Sequence, residues 1–241
     1  MANLFDLTGK VALVTGASSG LGVQFAKALA KQGADIAIAA RRVEKLEAVK
    51  KEIEALGVKC FAVKCDVTDN AQVLDMVKAV EGEFGKIDIL VNNAGVGAAS
   101  AAVDTPVEEW KKVIDLNLNS LFFVARECAK GMIARNYGKI INIGSVHSEV
   151  VMAPGTWPVT AYASAKGGVK MLTKGLAAEW ARNGITVNAI GPAYFESEMT
   201  DAIFQSGGMT PITNAYCAMG RAGRQGELDG ALIYFASDAS S

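Results

Sequence analysis

A chain of 241 residues has room for one large domain rather than two comfortable ones, and it buries a sizeable core without staples. With 51% hydrophobic and 20% charged residues it is not intrinsically disordered, and a formal net charge of −1 argues against nucleic acid or an anionic membrane as partner. No apolar run reaches the roughly 18 residues of a membrane helix, residues 1–10 lack a secretory apolar core, and four scattered cysteines make no disulfide framework, so a cytoplasmic protein with free thiols is expected.

Short apolar runs alternate with helical patterns along the whole chain. Residues 11–15 form the first run, followed by a Gly-rich turn and a periodic stretch that Gly33 ends from the position after the C-cap. Residues 36–40 form the second run; Leu46, Val49, Ile53 and Leu56 then recur at helical spacing until Gly57. Strands are expected at 58–63 and 87–91, with a helix over 70–84 between them. Thr105-Pro106-Val107-Glu108 combines an N-cap hydroxyl, Pro at N1 and Glu at N3, which predicts a long helix to about 134. A strand over 139–143, a helix over 161–182 and a strand over 185–190 complete the pattern. Strands that are apolar throughout, each followed by a helix, predict an α/β fold: one doubly wound parallel sheet over 1–241 with helices on both faces.

Between the first strand and the first helix lies Thr15-Gly16-Ala17-Ser18-Ser19-Gly20-Leu21-Gly22. Gly16 permits a tight turn out of the strand. Gly20 lets backbone approach a pyrophosphate, whose charge rests on the helix N-terminus, and Gly22 lets that helix pack close to the sheet. At the other end of the chain, Tyr162 and Lys166 stand four residues apart and so share one helix face. A free Tyr titrates near pH 10, and a nearby ammonium is expected to lower it toward use as a base.

With these motifs the chain resembles the short-chain dehydrogenase/reductase family, whose cofactor loop reads Thr-Gly-x3-Gly-x-Gly. The resemblance covers essentially the whole chain and implies a Rossmann-like sheet that binds a nicotinamide dinucleotide. It implies that Gly16, Ser18, Ser19, Gly20, Leu21 and Gly22 hold the phosphates and that Asp66 and Val67 meet adenine. Asn93, Ala94 and Gly95, within Asn92-Asn93-Ala94-Gly95, would prop the sheet beside the adenosine, and Pro192 and Ser197 would lie near the nicotinamide, with Tyr162 and Lys166 also on the cofactor. At the end of the second strand Ala40 replaces the carboxylate that serves NAD, and Arg41 and Arg42 follow. NADP(H) is therefore favoured over NAD(H), with Arg41 first and Arg42 its rival for the 2′-phosphate.

The resemblance further implies a catalytic set of Asn117, Ser145, Tyr162 and Lys166. Ser145 and Tyr162 would hold a substrate oxygen, Tyr162 would donate or take the proton, and Lys166 with a water at Asn117 would relay it. No metal is needed, and a lone histidine among scattered cysteines offers none a site. This intact set argues against a non-catalytic dinucleotide sensor, and no further domain suits an epimerase. The substrate is expected to be a small carbonyl or alcohol compound met by Ser145, His147 and Tyr162, with Glu149, Met152, Trp157 and the region 191–225 selecting it and Gly207-Gly208 as a hinge. The segments 4–7, 143–149 and 194–200 are most similar to the gluconate 5-dehydrogenase branch, which implies a sugar acid; 3-oxoacyl thioesters and hydroxysteroids are the alternatives. Two departures stand out. The family usually has Pro-Gly where this chain has Pro192-Ala193, so a Cβ would constrain that turn. It also continues past a stretch like 236–241 into one more strand, so either a tail lies outside the given sequence or the sheet lacks that edge. Apolar positions such as Leu121, Phe122, Val124, Met171, Leu172 and Leu176 exceed what one sheet face needs, which, with the family's use of these helices, suggests a homotetramer, with a dimer as second choice.

Overall fold

Side-chain alternation in the first strand sets the layering. In β1 (Val11–Thr15), Ala12 and Val14 enter one core while Leu13 enters the other, as the period of two requires. A computed structural model of the chain, which describes residues 3–98, 100–152 and 157–241, places β1 in the middle of a six-stranded parallel sheet. Its partners are β2 (Asp35–Ala40), β3 (Cys60–Lys64), β4 (Ile89–Asn92), β5 (Gly138–Ile143) and β6 (Ile185–Ile190), in the order β3-β2-β1-β4-β5-β6. The helices are α1 (Gly20–Lys31), α2 (Val43–Glu54), α3 (Asn70–Phe84), α4 (Val107–Ile114), α5 (Ser120–Arg135), α6 (Thr160–Trp180), α7 (Asp201–Gln205), α8 (Met209–Tyr216) and α9 (Asp229–Ala236).

Phe25 and Leu29 from α1, Leu46 and Ile53 from α2, and Leu232 from α9 fill one face. Met76 and Val80 from α3, Val124 and Met132 from α5, and Leu176 from α6 fill the other. The chain winds outward from β1 to β3, returns, and winds the other way from β4 to β6. The order reverses between β1 and β4, and a cleft opens there at the carboxyl edge, where such sheets bind ligands. Among the described residues, no helix is long and apolar enough to cross a membrane.

The expected elements are present, with four corrections. β3 and β4 begin at 60 and 89 rather than 58 and 87; at their starts side-chain carboxylates join the pairing, Lys59 N–H donating to Asp35 Oδ1 at 2.8 Å and Val11 N–H to Asp88 Oδ2 at 3.0 Å. Thr105 does not cap the long helix; its hydroxyl donates to Ala101 O at 2.8 Å, and Pro106 occupies the N-cap. That helix is also not regular: a π turn over Asp115–Asn119 joins α4 to α5. There Ser120 N–H donates to Asp115 O, and the Ser120 hydroxyl serves the Leu116 carbonyl that a regular α-helix would give to that N–H, at 2.7 Å. Finally, Leu121, Val124 and Leu176 are not surplus, since all three are buried in the chain's own core; Phe122 and Met171 are the exposed ones.

Between the layers a buried polar chain ties the reactive side of the sheet together. Asn92 Nδ2 donates to Leu121 O at 3.2 Å and to Asn142 Oδ1 at 3.0 Å, and Asn142 Nδ2 donates to Thr173 Oγ1 at 3.0 Å. The Thr173 hydroxyl donates in turn to Val169 O at 2.8 Å. Fully satisfied in this way, the chain fixes α5 and α6 against β4 and β5.

Candidate active site

The turn after β1 is shaped by what glycine omits. Gly16 and Gly20 take left-handed φ values of +67° and +56°. A Cβ on Gly16 would lie 2.8 Å from Ala94 Cα, and one on Gly22 only 2.4 Å from Gly16 O. Asn93 fastens this turn from the opposite strand, its Nδ2 donating to Thr15 O at 3.0 Å and its N–H to Thr15 Oγ1 at 3.1 Å. Ser19, the N-cap of α1, makes no side-chain cap, so among the described residues it leaves the first N–H groups of the helix without that acceptor. The cradle fits a dinucleotide pyrophosphate: the helix N-terminus has no side-chain cap from Ser19, and Gly16 and Gly22 let the turn pack where a Cβ would clash.

The cleft has a volume of about 490 Å³ and runs from Arg41 and Arg42 across the cradle to Ser145, Tyr162 and Lys166. It brings to one surface Gly16, Ser18, Ser19, Gly20, Leu21, Asp66, Val67, Asn93, Ala94, Gly95, Pro192 and Ser197 as expected. Gly22 and Asn117 stand behind its wall instead. Ala193 lines it with a φ outside the left-handed region, so the turn accepts the extra Cβ.

The two arginines part company. Arg41 is 69% exposed, with Nη1 3.9 Å from Asp66 Oδ2. Arg42 turns inward, its Nη2 donating to Ser18 Oγ at 2.9 Å and to Ser19 Oγ at 3.0 Å. Arg42, ranked second from sequence, is thus the one at the cradle. Lys45 joins it there, both contacting Glu198 of the segment after β6. Sequence reading missed Lys45 and Glu198, since nothing in either one's neighbourhood marks it.

At the reactive end, Ser145 stands just past β5 in extended conformation, held by a reciprocal cap. His147 N–H donates to its Oγ at 3.1 Å, and its own N–H donates to Ser148 Oγ at 3.3 Å. Tyr162 and Lys166 sit on the cleft side of α6, with Lys166 Nζ 5.7 Å from the centre of the Tyr162 ring. Nζ is buried and donates to Ile143 O at 2.7 Å, its one acceptor among the described residues. Burial lowers the ammonium to about pH 8. In the chain by itself, burial raises the Tyr162 phenol, and a hydrogen bond with Ser145 only partly opposes this. Without a bound cation, then, the phenol keeps its proton, which suits an acid rather than a base. Asn117 is fully buried, with Nδ2 donating to Val96 O at 2.9 Å and Val113 O at 3.0 Å while Oδ1 accepts from Val96 N–H at 3.1 Å. The π turn thus places an amide that pins the 93–97 wall of the cleft to the helix.

A second cavity of about 130 Å³ opens beside Ser145 and Tyr162, lined by His147, Met152, Trp157, Tyr194, Met199 and Met209 among others. The His147 ring meets Tyr162 and Tyr194 edge-on at 6.3 and 6.2 Å, and its Nδ1 is 3.1 Å from Val150 O. Glu149, expected there, lies outside this lining; Lys170 draws it to the surface at 2.6 Å. Gly207 turns the chain between α7 and α8 at φ +75°.

A phosphate cradle, a Tyr–Lys pair with the lysine buried, and a serine at one sheet edge define a dinucleotide-dependent oxidoreductase. The pattern of the short chain dehydrogenase family matches residues 10–207, and the chain belongs to that family. It is an NAD(P)-dependent oxidoreductase moving a hydride between nicotinamide and a secondary alcohol or ketone. It is 41% identical over 239 residues to gluconate 5-dehydrogenase of Gluconobacter oxydans (strain 621H), covering 99% of this chain and 92% of that one. It is 37% identical over 240 residues to 5-keto-D-gluconate 5-reductase of Escherichia coli (strain K12), covering 100% and 93%. Among solved structures, a gluconate 5-dehydrogenase from Burkholderia cenocepacia J2315 in complex with NADP and tartrate superposes with a TM-score of 0.92 at 39% identity, covering 98% of this chain and 91% of that one.

Proposed function

We propose that this chain reduces the ketone of a keto sugar acid with NADPH, and oxidises the corresponding alcohol with NADP. The observation that carries the chemistry is the meeting of Ser145, Tyr162 and Lys166 where the cofactor cleft joins the smaller cavity. The nicotinamide, when bound, supplies or accepts the hydride. Ser145 and Tyr162 hold the substrate oxygen from two sides and polarise its carbonyl. The Tyr162 phenol gives up its proton as the alcohol forms, and Lys166 beside it refills that proton from the Asn117 side of the cleft. The region 191–225 serves as the substrate loop, since Ala193, Tyr194, Met199, Thr200, Ile203, Met209 and Ile212 all line the cavity. The sugar acid itself is supported by the activities of the relatives above.

The lining supports a second reading. No lysine or arginine lines the smaller cavity among the described residues, whereas three methionines and a tryptophan do. A buried carboxylate would lack a cation there, so a neutral ketone with an apolar body, such as a 3-oxoacyl thioester or a keto-steroid, is the competitor. Initial rates of NADPH oxidation with 5-ketogluconate, an acetoacetyl thioester and a keto-steroid decide between the readings; the sugar acid fails if only the neutral ketones turn over.

The preference for NADP(H) rests on Arg42, Lys45, Ser18 and Ser19 beside Ala40. A charge-assisted contact with phosphate contributes roughly 1.5–3 kcal/mol, about one to two decades of binding. Arg42→Ala is expected to raise the KM for NADPH by that factor and to leave the KM for NADH nearly unchanged. Arg41→Ala is expected to do much less. Steady-state kinetics with both cofactors check this, and equal sensitivity at the two positions would refute the assignment to Arg42.

We also place the chain in a cytoplasmic homotetramer, with a dimer as second choice. Unpaired cysteines support a reducing compartment. Val107, Trp110, Phe122, Ile133 and Met171 leave apolar surface on the outer faces of α4, α5 and α6. Sedimentation equilibrium at micromolar concentration is expected to give four chains; a monomer would overturn the assembly.

A further inference from the structure

One carboxylate ties the segment after β6 across the cleft. Glu198 Oε1 accepts from Arg42 Nη1 at 3.0 Å, and its Oε2 accepts from Arg42 Nη2 at 2.6 Å and from Ser19 Oγ at 2.7 Å. Lys45 Nζ completes the ring of donors. The neighbours of Glu198 rest on both walls. Ser197 Cβ lies 3.3 Å from where a Cβ on Gly20 would stand, over the cradle, and Met199 Cγ lies 3.5 Å from the corresponding point on Gly97. The base of the segment is fixed, Gly223 N–H donating to Tyr194 O at 2.8 Å. Residues 195–200 therefore form a strap over the cleft, held at its far side by a single acidic side chain.

The donors that hold Glu198 are the ones assigned above to the adenosine 2′-phosphate. Arg42 reaches Ser18 and Ser19 as well as Glu198, and all of them line the cofactor cleft. Two cations here surround one negative charge, whereas a phosphate monoester carries about 1.5–2 negative charges near neutrality. A bidentate arginine fork accepts either group in the same plane.

We propose that Glu198 is an internal stand-in for the 2′-phosphate, latching the strap over the cradle until a 2′-phosphorylated adenosine takes Arg42, Lys45 and Ser19 from it. The inference rests on the NADP(H) reading and adds a consequence: the strap also carries Ser197, Met199 and Thr200, which line the cleft or the substrate cavity. Arrival of the 2′-phosphate thus frees the strap that shapes the substrate site, and a dinucleotide without that phosphate does not. Glu198 then sets cofactor choice by opposing every anion at this place while leaving adenosine contacts alone.

The test needs no turnover. Amide hydrogen exchange of residues 195–205 is followed in the free protein, with 2′,5′-ADP and with 5′-AMP, and calorimetry gives the affinities of both nucleotides. Because Glu198 and Arg42 are about half exposed, the screened pair is worth several-fold rather than several decades. Glu198→Gln keeps the shape and removes the charge. It is expected to speed exchange of the strap in the free protein and to tighten 2′,5′-ADP binding about three- to tenfold, with 5′-AMP unchanged. In the unaltered protein, 2′,5′-ADP is expected to speed strap exchange and 5′-AMP is not. Weaker or unchanged 2′,5′-ADP binding in Glu198→Gln would overturn the stand-in and make Glu198 a clamp on the bound cofactor or a bystander. If the unaltered protein binds both nucleotides equally, the NADP(H) reading fails and the latch falls with it; if it prefers 2′,5′-ADP but the variant does not gain, the latch alone fails.

Discussion

Tyr162→Phe is expected to lower turnover by about 10²–10⁴-fold in either direction, the range that general acid–base catalysis contributes. The substitution keeps the ring, its packing on α6 and its edge contact with His147, and removes only the hydroxyl. Ser145 then holds the substrate oxygen alone, and the alcohol oxygen forms with no proton beside it. NADPH binding, followed by fluorescence titration, should stay close to that of the unaltered protein, because the phenol touches no phosphate donor. The raised phenol sharpens the expectation. With the proton retained across neutral pH, ketone reduction proceeds without prior titration of Tyr162, while alcohol oxidation climbs as pH rises. A variant keeping more than a tenth of normal turnover would remove Tyr162 from the reaction.

Lys166→Met separates catalysis from stability. The ammonium neighbours the phenol and refills its proton, so turnover is expected to drop by about 10²-fold or more. Stability should respond with the opposite sense of charge. Burial lowers Lys166 to about 8 from the 10.5 of a solvated lysine. Between those values the unfolded chain holds a proton that the folded chain has released. The unfolded state then binds more protons, and stability rises with pH across that window. Below about pH 8 both states are charged, and the full desolvation cost is present. A shift of this size corresponds to roughly 3 kcal/mol over the window at 1.36 kcal/mol per unit. The methionine variant carries no such group, so the difference between the two proteins in denaturant midpoint should shrink or reverse from pH 8 to 10.5. Parallel stability curves would show that Lys166 is not desolvated in the folded protein.

The features that the sequence reveals are those written in short range. Apolar strands between periodic helices specify a parallel sheet, and glycines at 16, 20 and 22 specify the cradle because no other residue fits their contacts. Ser145, Tyr162 and Lys166 follow from spacing and resemblance. Other features depend on distance and orientation, which spacing does not carry. Arg41 and Arg42 are equivalent on paper; the start of α2, with Arg42 as its N-cap in extended backbone, turns only the second toward the serines. The desolvation that raises the Tyr162 phenol depends on how α6 packs at the cleft, which the spacing of Tyr162 and Lys166 does not carry. Leu121, Val124 and Leu176 could not be divided between core and outer surface without the rotation of their helices. The carboxylate of Glu198 lies 156 positions from Arg42 in sequence, and no local pattern announces the pairing.

The π turn at 115–119 gives the long helix a change of phase partway along its length. Before it, Val113 packs against Ala161 and Ala165 of α6 near the reactive end; after it, Val124, Cys128 and Met132 press on the sheet. A regular helix advances 100° per residue, and the π turn lodges one residue more than an α turn holds, so drawing all five residues into α geometry would swing one half about the other by roughly that angle. Either Asn117 would leave the cleft wall or Val124 would leave the core. The same five residues thereby set the rotational alignment between the scaffold and the chemistry.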